Sequence, residues 1–411
     1  KNILIIIILL SSPCLLIDFI LNIYEINFTY YRILILGTTF IVAINVIQRS
    51  DLTVFQKKLQ MYFFLILIYL LIIWNTQIIF SGSPRNVFRI ILISPMLMII
   101  LNDRKFNLTN FINIFILTSF ILASLSLIQY FLPFGALGMV PVSSVRSSHE
   151  GAFVGLGGIY PIIGDVGIEG IVNRNQGWFS EPTNFGQFLM IPMFLSLYKM
   201  QKNINLINIG CFSSITLALF LTYSVANFFG IIIALLVFYL IKIKNTNLKK
   251  NIINSKVISF SIACLILFSL ISFYNYTNQE SDINVLTKST ARGLGYKFAR
   301  NVDYFNRISE NIFGDINYKH ENPVSVGLIG HIAIAGGYPL LLFMLFFFIY
   351  YFRMIYKQMI RSKYLIVYTG LFAYFIAALW DAKFYENFFL FLFIFYSTFS
   401  KHDQAEFEII R

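Results

Sequence analysis

Long apolar runs alternate with short polar segments along the whole chain. Runs such as FLILIYLLII and LLLFMLFFFIYYF are continuously apolar and lack the two-residue alternation of an outer-membrane β-strand. Many approach twenty residues, enough to cross about 30 Å of hydrocarbon as a helix. The pattern predicts an all-α polytopic membrane protein with about twelve transmembrane helices, at 3–21, 32–48, 60–80, 87–101, 111–132, 182–198, 204–222, 225–241, 257–274, 324–352, 364–380 and 385–399.

The basic residues predict how these spans are oriented. Most of them fall on one side of the predicted membrane, in segments 49–58, 104–105, 199–202, 242–256 and 353–363. Because short cytoplasmic loops carry an excess of Lys and Arg, that side is the cytoplasm, and both termini are expected there. The first apolar run continues to about Leu21 without a small-residue cleavage site, so we expect it to remain as the first helix.

Two long segments remain on the opposite side of a single transmembrane domain spanning residues 1–411. The first, 133–181, is rich in glycine and carries large apolar residues such as Phe153 and Trp178, which favours a folded loop over a flexible linker. The second, 275–323, contains an amphipathic helix candidate at 289–313, either lying in the membrane interface or presenting a solvated, ion-paired face. Loops this long, in a protein whose other outer connections are short, are usually functional.

The composition argues against a soluble domain, against nucleic-acid binding and against a metal or cofactor site. The chain is 58% hydrophobic and 12% charged, about half the charge that a soluble domain needs. Its net charge of +12 follows from the cytoplasmic loops, so we expect no nucleic-acid partner. The three cysteines lie in apolar spans, and the loops show no metal-binding motif, so neither a metal nor another cofactor is predicted.

Arginines are the main chemical feature of the two long loops. A guanidinium forms a rigid planar fork that matches phosphate and pyrophosphate, so these side chains are candidates for binding a lipid-linked pyrophosphate. The alternative is that they reach generally toward phospholipid headgroups. The four candidates are Arg146, Arg174, Arg292 and Arg300.

Three short sequence features accompany the spans and the loops. Arg146 and Gly157 of the first loop have an Arg-x10-Gly spacing, which the second loop lacks. The stretch RNQGWFSEP has the form Arg-x-x-Gly-x-Phe-x-Glu-Pro, with Arg174, Gly177, Phe179, Glu181 and Pro182, and the stretch NPVSVGLIGHIAIAGGYPLLLF leads into the next long helix. Together with the spans and the loops, these features resemble the Wzy-type O-antigen polymerases of bacteria.

This resemblance implies a membrane-embedded glycosyltransferase of the GT-C type in the bacterial inner membrane. It would join undecaprenyl-pyrophosphate-linked oligosaccharides, acting as donor and acceptor, on the periplasmic side among membrane lipids, with a chain-length regulator as a possible partner. Glu181 is the leading candidate for the base, followed by His320 and Glu321. Glu181 could instead only complement the dipole of the following helix, and His331 could be a packing residue inside its span.

Two other functions remain open. An O-antigen ligase would share the fold and the lipid-linked donor but would transfer the glycan to another acceptor. A flippase or transporter would be expected to carry ionisable residues inside its spans, or paired broken helices in two related halves. The span interiors are nearly free of charge and show no internal repeat, which favours chemistry at the loops.

Overall fold

The computed structural model describes residues 108–131, 140–141, 153–155, 158–160, 175–179, 182–244, 312–313, 328–361 and 364–381. These residues form six helices and three short strands. The helices are α1 (Leu108–Phe131), α2 (Pro182–Lys202), α3 (Leu206–Phe220), α4 (Val225–Lys244), α5 (Leu328–Arg361) and α6 (Leu365–Asp381). The strands are β1 (Val140–Pro141), β2 (Phe153–Gly155) and β3 (Gly158–Tyr160).

The predicted spans that fall on described residues are confirmed as helices. Their predicted ends lie within four residues of the observed ends, apart from the end of α5. That helix continues from the predicted end at 352 to Arg361, because Arg353 and Lys357 end an apolar run without ending a helix. The other predicted spans lie outside the described residues.

Helix α2 is the centre of the described bundle. It packs against α1, α3, α4 and α6, and nearly all of its side chains are buried. Pro182 begins the helix, at the position where a missing backbone N–H costs nothing. Phe185, Phe188 and Phe194 are fully buried and supply much of its packing surface. The other helices are therefore arranged around α2.

Small residues let the other helices approach closely. Gly230 of α4 lies against the backbone and side chains of α6, where a β-carbon would stand 2.5 Å from the Ala373 carbonyl oxygen and 3.1 Å from the Ala377 β-carbon. Gly370 of α6 leaves room for the Phe194 ring of α2. Contacts of this kind bring backbones together by van der Waals packing, as in membrane helix pairs.

Helix α5 is interrupted at Gly337. This residue has φ 64° and ψ −163°, a conformation for which glycine is suited, and Pro339 follows it within the helix. The backbone N–H of Tyr338 donates a hydrogen bond of 3.0 Å to the carbonyl of Ile312, in a turn at the end of the second long loop. The break is therefore bonded to the loop.

The outer faces of several helices are apolar. Helix α1 buries Phe111 and Phe115 on one face but exposes Leu117, Ile121 and Ile128 on another. Of the described helices, α1 is the one long and apolar enough to cross a membrane by length and composition. The apolar runs Leu206–Phe220, Ala226–Ile241 and Leu365–Ala378 are shorter.

Charge in the described part of the chain is divided between the two ends of the bundle. The Tyr198 and Tyr364 rings lie 5.5 Å apart, which brings the end of α2 beside the start of α6. The contact of Gly230 with Ala377 pairs the start of α4 with the end of α6, so α4 ends on the same side as α2. The basic end thus carries Lys199, Lys202, Lys242, Lys244, Arg353, Lys357 and Arg361. Asp381 ends α6 on the opposite side.

Gly230→Ala is expected to destabilise the protein. Overpacking against α6 costs about 1–3 kcal/mol, more than the roughly 0.5–1 kcal/mol that alanine gains over glycine in a helix. The measurement is the free energy of unfolding in detergent. Gly210→Ala is the matched control, because no atom lies within 4 Å of the added β-carbon, and it should be neutral or stabilising. A Gly230→Ala protein as stable as Gly210→Ala would contradict the close contact.

Candidate functional site

The site residues predicted from the sequence lie outside the described residues. These are Arg146, Arg174, Glu181, Arg292, Arg300, His320 and Glu321. His331 lies in the first part of α5, before the break, and its side chain is also outside the described set. The structure does describe the sequence neighbours of two of them, at 175–179 after Arg174 and from Pro182 onward after Glu181. A cluster of buried polar groups surrounds these neighbours.

Residues 175–179 form a buried turn. The N–H of Phe179 donates to the carbonyl of Gln176 at 3.0 Å, and Gly177 within the turn has φ 50°. The Phe179 ring is buried, with its centroid 5.2 Å from that of Phe185 and 5.1 Å from that of Phe188. A β-carbon on Gly177 would stand 3.0 Å from the Phe185 ring. The motif glycine and phenylalanine therefore dock the turn onto the first turns of α2.

Asn175 joins this turn to two other helices. Its backbone N–H donates to the carbonyl of Leu221 at the end of α3, at 2.8 Å. Its side-chain Nδ2 donates to Ser126 Oγ of α1 at 3.1 Å, while Oδ1 accepts the N–H of Gly177 at 3.2 Å. Through these three hydrogen bonds, Asn175 fixes the chain one residue after Arg174.

The glycine-rich first loop also contacts the turn at 175–179. Its strands form an antiparallel sheet in the order β1-β2-β3, with Gly155 opposite Gly158. Gly158, at φ 127°, lies directly on the backbone of Gly177, and its carbonyl accepts a 2.9 Å hydrogen bond from Gln129 Nε2 of α1. These strands were not predicted, because two or three residues are too few to show an alternating pattern.

Asn227 of α4 forms a hydrogen bond with the first turn of α2. This fully buried residue of α4 donates from Nδ2 to the carbonyl of Thr183 at 3.2 Å. Its amide lies over Gly186, in space that a side chain there would fill. Asn227 Oδ1 is buried and accepts no hydrogen bond. A buried acceptor of this kind costs free energy unless a water or a ligand donates to it.

The cluster combines rigid backbone with neutral polar groups at the end of the bundle opposite the basic residues. Its members Gln129 and Asn227 were not selected from the sequence, although both lie in otherwise apolar spans. A polar residue inside a predicted span was the signal that could have identified them. Chemically, the described part of the cluster can position its neighbours and accept or donate hydrogen bonds. The described members of the cluster carry no charge.

Comparison with known proteins assigns no family to the chain. No protein-family model matches it, and neither a curated protein nor a solved structure matches it. Function is therefore inferred from the sequence motifs and the buried polar cluster.

The bond between Asn175 and Ser126 is expected to stabilise the cluster measurably. A buried hydrogen bond contributes about 0.5–1.5 kcal/mol net, so Asn175→Ala, Ser126→Ala and the double variant should show a coupling of about 1 kcal/mol in unfolding free energy. Asn208→Ala, which removes an exposed side-chain bond to the Asn203 carbonyl, should cost less. A coupling near zero would mean that the two side chains do not act together.

Proposed function

We propose that this protein is a multi-pass membrane glycosyltransferase that polymerises undecaprenyl-pyrophosphate-linked oligosaccharide units. The reaction takes place on the periplasmic face of the bacterial inner membrane and builds O-antigen or a related surface polysaccharide. The proposal rests on the resemblance of the loops and motifs to the Wzy-type polymerases.

The structural observation that carries the proposal is how the motif segment is mounted. Gly177 and Phe179 dock the turn onto α2, and Pro182 begins that helix. Arg174 and Glu181 flank this anchored segment in the sequence. A catalytic side chain must be held to within about 0.5 Å of its productive position. The uncharged residues of this motif form a rigid support, as expected if the charged residues of the same motif take part in the reaction.

The distribution of charge supports the proposed orientation. The basic end of the described bundle matches a cytoplasmic surface, while α1 and α5 present exposed leucine, isoleucine and phenylalanine between the ends. The buried polar cluster, with the start of α2 and the end of α3, lies at the other end. It would therefore face the periplasm, where the lipid-linked units are joined.

The proposed reaction is a glycosyl transfer without a metal. An acceptor sugar hydroxyl attacks the anomeric carbon of the donor glycan, the bond from that carbon to the pyrophosphate oxygen breaks, and undecaprenyl pyrophosphate leaves. Glu181 takes the hydroxyl proton, with His320 and Glu321 as the other candidates. Arg146, Arg174, Arg292 and Arg300 stabilise the charge that develops on the departing pyrophosphate.

Deleting the gene is expected to leave lipopolysaccharide core carrying a single repeat unit, visible on a gel as the loss of the ladder. The single unit should remain because its transfer to the core does not need the polymerase. Restoring the wild-type gene should restore the ladder. Two other patterns would overturn the proposal. Core without any unit would identify a ligase, and units retained on the inner leaflet would identify a flippase.

Arg174→Lys is expected to damage polymerisation nearly as much as Arg174→Ala, and the same holds at Arg146. Lysine keeps the charge but loses the planar fork that binds two phosphate oxygens at once. We expect polymer yield to fall on the order of tenfold or more at normal protein level, as one lost charge-assisted hydrogen bond implies. Arg353→Lys, at the basic end of the bundle, should retain full polymer and serves as the control.

A lysine variant that makes full-length polymer would reduce that arginine to a structural or general electrostatic role. Normal expression and membrane insertion of each variant must be confirmed by immunoblot, so that lost polymer reflects lost chemistry.

The purified protein is expected to polymerise lipid-linked units in the presence of EDTA. Arginine side chains can take the place of a divalent metal at a pyrophosphate. The measurement is the rate of polymer formation from defined donor and acceptor, with and without chelator. Activity that EDTA abolishes and magnesium or manganese restores would refute the metal-independent mechanism.

A further inference from the structure

The connection between α2 and α3 is short and firmly held. The N–H of Asn203 donates to the carbonyl of Lys199 at 2.9 Å, and Asn205 caps α3 by accepting the N–H of Asn208 at 2.7 Å. The Asn208 side chain closes the turn with a 2.8 Å bond to the Asn203 carbonyl. Three asparagines thus fix the backbone through hydrogen bonds within the turn and the adjoining helix ends.

This fixed turn displays large aliphatic side chains. Leu206 is 86% exposed, Ile207 75% and Ile204 50%. A turn stabilised by its own hydrogen bonds has no structural need for these residues. Exposed aliphatic side chains grouped on one rigid segment mark a surface that contacts something apolar.

Two lysines stand at the edge of the same turn. Lys199 is half-buried and Lys202 is exposed, both in the last turn of α2. The Lys202 ammonium lies 4.8 Å from the centre of the Tyr198 ring, which in turn contacts Tyr364. The aromatic pair thus supports the Lys202 cation beside the aliphatic residues.

We propose that this surface, the turn patch (Lys199, Lys202, Ile204, Leu206 and Ile207), binds an anionic phospholipid of the cytoplasmic leaflet. The lysines pair with the headgroup phosphate and the aliphatic residues enter the boundary of the acyl chains. The proposal goes beyond the polymerase reaction and needs only that the bundle spans the membrane.

Charge and continuity select a lipid over a protein partner. The described side chains at this end include four basic residues, Lys199, Lys202, Arg353 and Lys357, and no acidic one, so they complement an anionic leaflet. The aliphatic surface also continues along α3 through Ile209. A separate protein would have to interrupt that lipid-facing side.

The test uses purified full-length protein incubated with equal amounts of phosphatidylglycerol and phosphatidylcholine, followed by native mass spectrometry of retained lipids. Wild-type protein should retain phosphatidylglycerol preferentially. Each lysine near an anionic surface is worth about fivefold in binding, so Lys199→Gln with Lys202→Gln should lower that preference at least about fivefold. Leu206→Asn with Ile207→Asn should reduce retention of both lipids.

Lys242→Gln with Lys244→Gln is the matched control, since it removes the same charge from the end of α4. This variant should keep the phosphatidylglycerol preference within about twofold of the wild-type value, a smaller change than the loss of one interfacial lysine would cause. If both lysine double variants lose the same amount of phosphatidylglycerol preference, the lipid responds to the general positive charge of the basic end and not to the turn patch. An absence of phosphatidylglycerol preference in the wild-type protein would overturn the proposal. Neither outcome depends on polymerase activity.

Discussion

Polar groups within an apolar bundle are stabilised by hydrogen-bond partners inside the protein, and this pairing organises much of the described structure, although Asn227 Oδ1 has no such partner. Helix α2 is enclosed by four other helices, so Asn227 and Asn175 bond to backbone carbonyls and to Ser126 rather than to solvent. An unpaired amide there would cost about 1–3 kcal/mol. These bonds also define where the first loop enters the bundle. The position of the polar cluster is thus a consequence of how buried polar groups are paired.

Much of the helical framework could be predicted from the sequence because apolar runs carry that information locally. The error at the end of α5 arose where hydropathy and helix propensity differ, at Arg353 and Lys357. The break at Gly337 was not predicted, since Gly-Gly-Tyr-Pro is compatible with either a kink or a continuous helix. Its conformation depends on Ile312, which contacts it from a different part of the chain.

The polar cluster was less accessible to prediction because its contacts join distant residues. Gln129 reaches Gly158, and Asn175 reaches back to Ser126 in α1. A single sequence contains no record of such pairings. The motif did indicate that Gly177 and Phe179 matter, but it gave no reason. The structure supplies one, since both residues pack against the beginning of α2. The charged motif residues Arg174 and Glu181 lie outside the described residues, so their proposed roles remain predictions.

The break in α5 connects that helix to a distant part of the chain. The described helices contain one break, at Gly337. The adjacent N–H of Tyr338 is bonded to the Ile312 carbonyl, and Pro339 has no N–H to offer. The N–H next to the break is therefore already bonded, and this bond anchors Ile312 to α5. In the proposed enzyme, the bond would hold the second long loop close to the start of that helix.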